Sequence, residues 1–257
     1  MIVYTGGVSY GDRAQRFAWQ ASSWLTSAQA QRLSVGMLGT IDEVSANRWD
    51  AAVKRAAEQP GGIRPEKIKA LTDSFTREVT AAGAAAGAVA AAPTVGTTAT
   101  LLTATAELAW FTARAGDLIL TIAALHGHPA PTVDERRAWV LAVLIYGGSA
   151  RDEFSRALHE ASTGLVTATT DLRMPTATLQ MANRAMSRVL FRNYGTRRGL
   201  AAVGRMLPLG IGAAIGASAN YVAIRALAKH ADQFFARLPY SAIDTESVDV
   251  TGRAVAS

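Results

Sequence analysis

Few residues in this chain have the types and spacing to do chemistry. Glu107, Arg114 and Asp117 stand in an otherwise apolar stretch, and separations of seven and three residues put all three near one face of a helix. Two carboxylates and a guanidinium in greasy surroundings admit three roles: an ion-pair cluster joined to arginines of the C-terminal half, the polar lining of a ligand pocket, or a general acid/base pair. The ion-pair cluster is the expectation, because unpaired charges in such a setting are costly. His126-Gly-His128 brings two imidazoles together, but a metal site needs three or four ligands and nothing nearby completes the set. Both are expected on a surface loop, and His159 and His230 are expected to be ordinary helix residues. Arg192, Arg197 and Arg198 bracket a predicted loop, and their planar forks suit phosphate oxygens on a lipid headgroup.

Other chemistry lacks its residues. The chain has no cysteine, which excludes disulfides, thiolate metal sites and cysteine nucleophiles. No Gly-x-Ser-x-Gly elbow is present, and Gly210-x-Gly212-x-x-x-Gly216 does not fit a phosphate-cradling glycine pattern. No catalytic residue, metal ligand or cofactor is assigned.

The elements that must position these groups read as helices throughout. Alanine-rich stretches broken by Gly and Pro, with no convincing strand, predict an all-α fold of one helical domain. Thr40-Ile41-Asp42-Glu43 reads as a capping box that opens a helix ending near Glu58, before Pro60-Gly61-Gly62. Pro65 suits the first turn of the next helix, with Ile68, Leu71, Phe75 and Val79 on its apolar face. Residues 79–106 carry no charge and are broken at Pro93. Thr132-Val133-Asp134-Glu135 is a second capping box, and it starts a helix whose body, 138–146, is apolar on every side and must be buried. Residues 149–171 show less pattern.

An arginine-studded amphipathic helix is predicted over 174–194, and a second uncharged, glycine-rich run, 206–224, follows close to a break at Pro208. The two Pro-broken Gly/Ala-rich elements are expected to pack in the core, and both contain small-xxx-small spacing that permits close helix approach. Trp19 and Trp24 are expected to act as core or interface anchors. The organisation expected is an N-terminal helical segment (1–63), a helical core (64–239) and a disordered tail (240–257).

A net charge of +6 and a pI near 10.0 suggest an anionic partner, so the placement of the charge decides which. Between 171 and 240, nine arginines and Lys229 face only Asp171 and Asp232, and the remainder is slightly acidic. Without a recognition helix, zinc finger or aromatic stacking platform, nucleic acid is disfavoured, leaving an anionic lipid or membrane surface as the expected partner. Residues 1–16 lack the apolar stretch of a signal peptide, so the expected location is cytoplasmic, including the inner face of the membrane.

Two blocks carry a resemblance to a known family. The block 81–150, with its Gly/Ala/Pro hairpin, its His126-Gly-His128 turn and its apolar helix, resembles the core of the EcsC family. The run Pro208-Leu-Gly-Ile-Gly-Ala-Ala-Ile-Gly-Ala-Ser-Ala-Asn220-Tyr221, followed by His230-Ala-Asp-Gln-Phe234-Phe235, is similar to that family's C-terminal signature. The resemblance implies a helical fold and work at the membrane, with a membrane transporter as partner, and it implies no catalytic residues. The expected function is that of a non-enzymatic, peripherally membrane-associated or lipid-binding protein, accessory to ABC-type transport. Two alternatives are an enzyme acting on lipid-like substrates with Glu107 or Asp117 as acid/base, and a soluble protein-interaction scaffold.

Overall fold

Thr132 caps its helix as its spacing to Glu135 predicts. Its hydroxyl accepts the Glu135 amide at 3.2 Å, and the Glu135 carboxylate accepts the Thr132 amide at 2.8 Å. The computed structural model describes residues 27–90, 97–128, 132–163, 176–194 and 213–238, and every regular element among them is helical. In chain order these are α1 (Ser27–Asn47), α2 (Trp49–Ala57), α3 (Arg64–Ala90), α4 (Thr97–Leu125), α5 (Val133–Tyr146), a 3-10 turn (Gly147–Ser149), α6 (Ala150–Thr163), α7 (Thr176–Tyr194) and α8 (Ala213–Arg237). The fold is all-α. Pro93, Pro208, Trp19, Trp24 and the tail 240–257 lie outside the described residues.

Two boundaries differ from the sequence reading. Thr40 does not start a helix; it lies inside α1, where its hydroxyl donates to the Gly36 carbonyl at 3.0 Å. The reason is periodic, since Leu33, Met37, Ile41 and Val44 form one buried stripe that crosses position 40 without a break. The chain breaks only at Arg48. The second difference is α6, which occupies a segment read as unpatterned: Ala150, Phe154 and Ala161 are buried there, a line in which small residues conceal the helical period.

α4 is the central helix. It packs against α1, α2, α3, α5 and α8, and Leu118, Ile119, Leu120 and Ile122 are fully buried. Each of those side chains contributes roughly 1.5–3 kcal/mol on removal from water. The stretch Ala106–Leu125 is long and apolar enough to cross a membrane, but 67% of its window is buried in protein, as befits a core helix. α1 approaches α4 closely at Gly116, where an added Cβ would sit 2.7 Å from Val44 Cγ1. Leu33, Met37, Ile41, Val44, Trp49 and Ala52 share one hydrophobic core with residues of α3 to α8, so α1 and α2 are not a separate layer. α5 lies in this core too, buried without interruption from 138 to 143, whereas 144–146, expected to be buried with them, are only partly so.

α3 packs along most of α8 and runs antiparallel to it. Burial chiefly depresses the protonation of His126, the charge of Arg64 at the start of α3 lies near enough to add to it, and His126 bonds to Asp232 of α8. Further along α3, Asp73 pairs with Arg225, which precedes Asp232 in sequence. By the same reasoning α3 and α4 are antiparallel, because Glu78 pairs with Arg114 while Arg64 lies by His126.

Candidate functional site

Three places in the described structure gather polar groups. The first surrounds Asp117, which is 2% exposed. Arg114, one turn earlier on α4, donates to Asp117 Oδ2 at 2.8 Å, and Arg48, between α1 and α2, reaches the same oxygen at 3.8 Å. Arg114 also pairs with Glu78 of α3, and its guanidinium carbon lies 4.6 Å from the Phe75 ring centroid. Two expectations are corrected here. The partners come from the N-terminal half and not from the C-terminal arginines, because α1–α3 cover this side of α4. Glu107 makes no ion pair with Arg114 or Asp117 among the described residues; it lies about 10 Å along the axis from Arg114 at 1.5 Å per residue. Glu107 is half-buried, and desolvation pushes its carboxyl above the usual range.

The second place joins the turn after α4 to α8. Gly127, at φ +76°, allows α4 to end with its amide on the Ala124 carbonyl at 2.9 Å and the His128 amide on the Ala123 carbonyl at 3.3 Å, a left-handed C-terminal cap. This cap turns both histidines inward. The expectation of surface-loop histidines is therefore corrected: His126 is 4% and His128 7% exposed. His126 Nε2 donates to Asp232 Oδ1 at 2.8 Å, and the His128 ring lies 5.4 Å from Trp139 and 5.3 Å from Phe235, centroid to centroid. His128 also hydrogen-bonds to the Phe235 backbone. Burial holds both imidazoles below their ordinary protonation range, with the Asp232 bond opposing this at His126 and the Phe235 bond at His128. No group of three or more metal-ligating side chains occurs among the described residues. Sequence spacing within the His-Gly-His turn could not reveal Asp232 or Phe235 as partners, since they lie more than 100 residues away.

The third place is the outer face of α7. Leu179, Ala182, Asn183, Met186 and Leu190 are buried, and Asn183 Nδ2 ties the helix to the Asp134 carbonyl at 2.9 Å. The opposite face carries Arg184, Arg188 and Arg192, all exposed and one helical turn apart, with Phe191 exposed beside them. Arg192 is thus the end of a row on the arginine-studded helix expected over 174–194, where the sequence reading groups it with Arg197 and Arg198 around a loop. A four-residue arginine period was its signal. Arg197 and Arg198 lie outside the described residues.

Comparison with known protein families, with curated proteins and with solved structures finds no match for this chain.

Proposed function

We propose that this is a non-enzymatic helical protein that associates peripherally with anionic membranes through the outer face of α7. The observation that carries the reading is the exposed row Arg184, Arg188, Arg192, presented on a helix whose other face is fixed in the core. Three guanidiniums about 6 Å apart along an axis match a surface of many phosphates better than one small anion. Phe191 adds an apolar contact at the headgroup boundary. Residues Arg197 and Arg198 extend the same basic stretch in sequence. The resemblance to the EcsC family, with its implied link to transport at the inner face of the membrane, belongs to this proposal.

The enzyme alternative draws little support from Asp117, whose carboxylate is closed off from solvent and held by Arg114, and so is poorly placed to exchange protons with a substrate. The test is vesicle affinity of the wild type against an Arg184→Gln, Arg188→Gln, Arg192→Gln variant. Each arginine contributes roughly 1 kcal/mol at an anionic surface, so the variant is expected to bind about a hundredfold more weakly. Equal affinity of the two proteins would reject α7 as the contact.

A further inference from the structure

Polar residues repeat every four positions along both sides of the seam where α3 lies against α8. On α3 the row is Lys69, Asp73, Arg77; on α8 it is Tyr221, Arg225, Lys229. A four-residue step is about one helical turn, or roughly 6 Å, so each row keeps to one side of its helix. The helices are antiparallel and Asp73 pairs with Arg225, which sets Lys69 level with Lys229 at one end and Arg77 level with Tyr221 at the other. The inner sides of the same helices are buried, through Leu71, Phe75 and Val79 on α3 and Ile224, Ala228 and Ala231 on α8.

One carboxylate serves this whole ladder. Asp73 accepts from Lys69 Nζ at 2.9 Å and pairs with Arg225 as well. The Lys69 hydrogen bond, with the charges of Lys69, Arg225 and Arg77 behind it, holds the Asp73 carboxyl below its usual range against the opposing effect of desolvation. Arg77 and Lys229 are exposed and make no ion pair among the described residues. The next carboxylates along the two helices are engaged elsewhere: Glu66 by the Gly62 amide at 3.0 Å, Glu78 by Arg114 and Asp232 by His126. Four cations therefore share one anion, and the excess is not a device of stability. A surface kept only to hold two helices together would set opposite charges across each rung, whereas Lys69 and Lys229 are alike and so are Arg225 and Lys229 one turn apart.

The ladder and the arginine row of α7 are not one surface. α7 packs on α1, α5 and α6, whereas α3 and α8 pack on each other and on α4. A flat bilayer that takes the α7 row leaves the seam to a different partner. The spacing along the seam is that of a helix: charges at intervals of about 6 Å, beside the shallow groove that two packed helices leave between them. At the Arg77 end the Tyr221 ring is 44% exposed, with the Arg225 guanidinium 4.8 Å from its centroid, and Val222 beside it is 64% exposed, so an apolar residue has a place to rest. From this charge pattern we infer that the α3–α8 seam is a docking face for an acidic helical segment of a partner protein, whose carboxylates, four residues apart, lie against Lys69, Arg77 and Lys229. This face is independent of the membrane contact at α7.

The probe is a dye-labelled, alanine-based helical peptide with Glu at every fourth position and one Leu near its end, beside a twin carrying Gln in place of each Glu. Anisotropy at low salt would be measured with the wild type, with a Lys69→Gln, Arg77→Gln, Lys229→Gln variant and with the Arg184→Gln, Arg188→Gln, Arg192→Gln variant. The first variant keeps the Asp73–Arg225 pair; Lys69→Gln with Lys229→Gln replaces it if the triple change loses helical circular dichroism. The Glu peptide is expected to bind the wild type and the α7 variant alike and the seam variant about tenfold more weakly, through the loss of three exposed ion pairs, while the Gln peptide binds none of them. Equal binding by the wild type and the seam variant would overturn the docking face, as would no binding of the Glu peptide up to millimolar concentration. An equal loss in the α7 variant would overturn it too, because the peptide would then be reading net charge. Flotation with phosphatidylglycerol vesicles that fails for the seam variant and survives in the α7 variant would overturn it in favour of a bilayer at the seam.

Discussion

His126 Nε2 donates to Asp232 Oδ1 across 2.8 Å, linking the turn after α4 to α8, and the imidazole is buried while the carboxylate is half-exposed. With His128 packed against Trp139 and Phe235, two neutral imidazoles lie in the protein interior. Burial depresses both below their ordinary value of 6.5. The unfolded chain therefore takes up protons first on acidification, and stability that is complete above the unfolded value is lost as pH falls below about 6.5. Urea midpoints at about pH 7.5 and about pH 5.5 should differ in that direction, and the difference should shrink in a His126→Gln, His128→Gln variant. An equal difference in both proteins would place the acid sensitivity elsewhere.

Arg114 is expected to be needed for folding. Removing it leaves Asp117 buried with only Arg48, at 3.8 Å, and takes from Phe75 the nearer of its two guanidiniums, leaving Arg55 at 5.4 Å from the ring centroid. Arg114→Ala should cost on the order of 3–5 kcal/mol in urea unfolding, because a buried carboxylate loses its main counter-charge. The Asp117→Asn change should recover part of that loss when added to Arg114→Ala. An unchanged midpoint for Arg114→Ala would contradict the pairing.

Gly116 is where α1 and α4 approach most tightly among the glycines described. The neighbour that an added methyl would meet is Val44, fully buried and stiff about χ1, so it cannot swing away. Gly116→Ala should destabilise by about 1–3 kcal/mol despite the better helix propensity of alanine. Val44→Ala in the same chain should relieve the clash. A gain in stability from Gly116→Ala alone would show that the helices can separate there.

Local chemistry in the sequence was enough for the helical class, the Thr132–Glu135 cap, the start at Pro65 and most of the buried body expected over 138–146, of which 144–146 are only partly buried. Each of these depends on residues within about one turn of one another. The cap misread at Thr40 shows the limit: a threonine hydroxyl can satisfy a carbonyl one turn back as readily as an amide ahead, and only the buried stripe on either side decides. The site residues follow the same division. Arg114 and Asp117 are one turn apart and their pairing is legible, whereas Glu78, Arg48 and Asp232 reach their partners through tertiary packing that spacing does not encode. Gly116 carried no local mark at all.

Membrane association itself is tested most directly by flotation of the wild-type protein with vesicles of increasing phosphatidylglycerol content, at low and high salt. Exposed arginines should bind in proportion to surface charge and be screened beyond about 8 Å at physiological ionic strength. The expected result is flotation that rises with anionic lipid, is absent on pure phosphatidylcholine at moderate lipid concentration, and falls steeply with salt. Failure to float on any anionic composition would contradict the proposed function and leave the soluble interaction scaffold as the better reading.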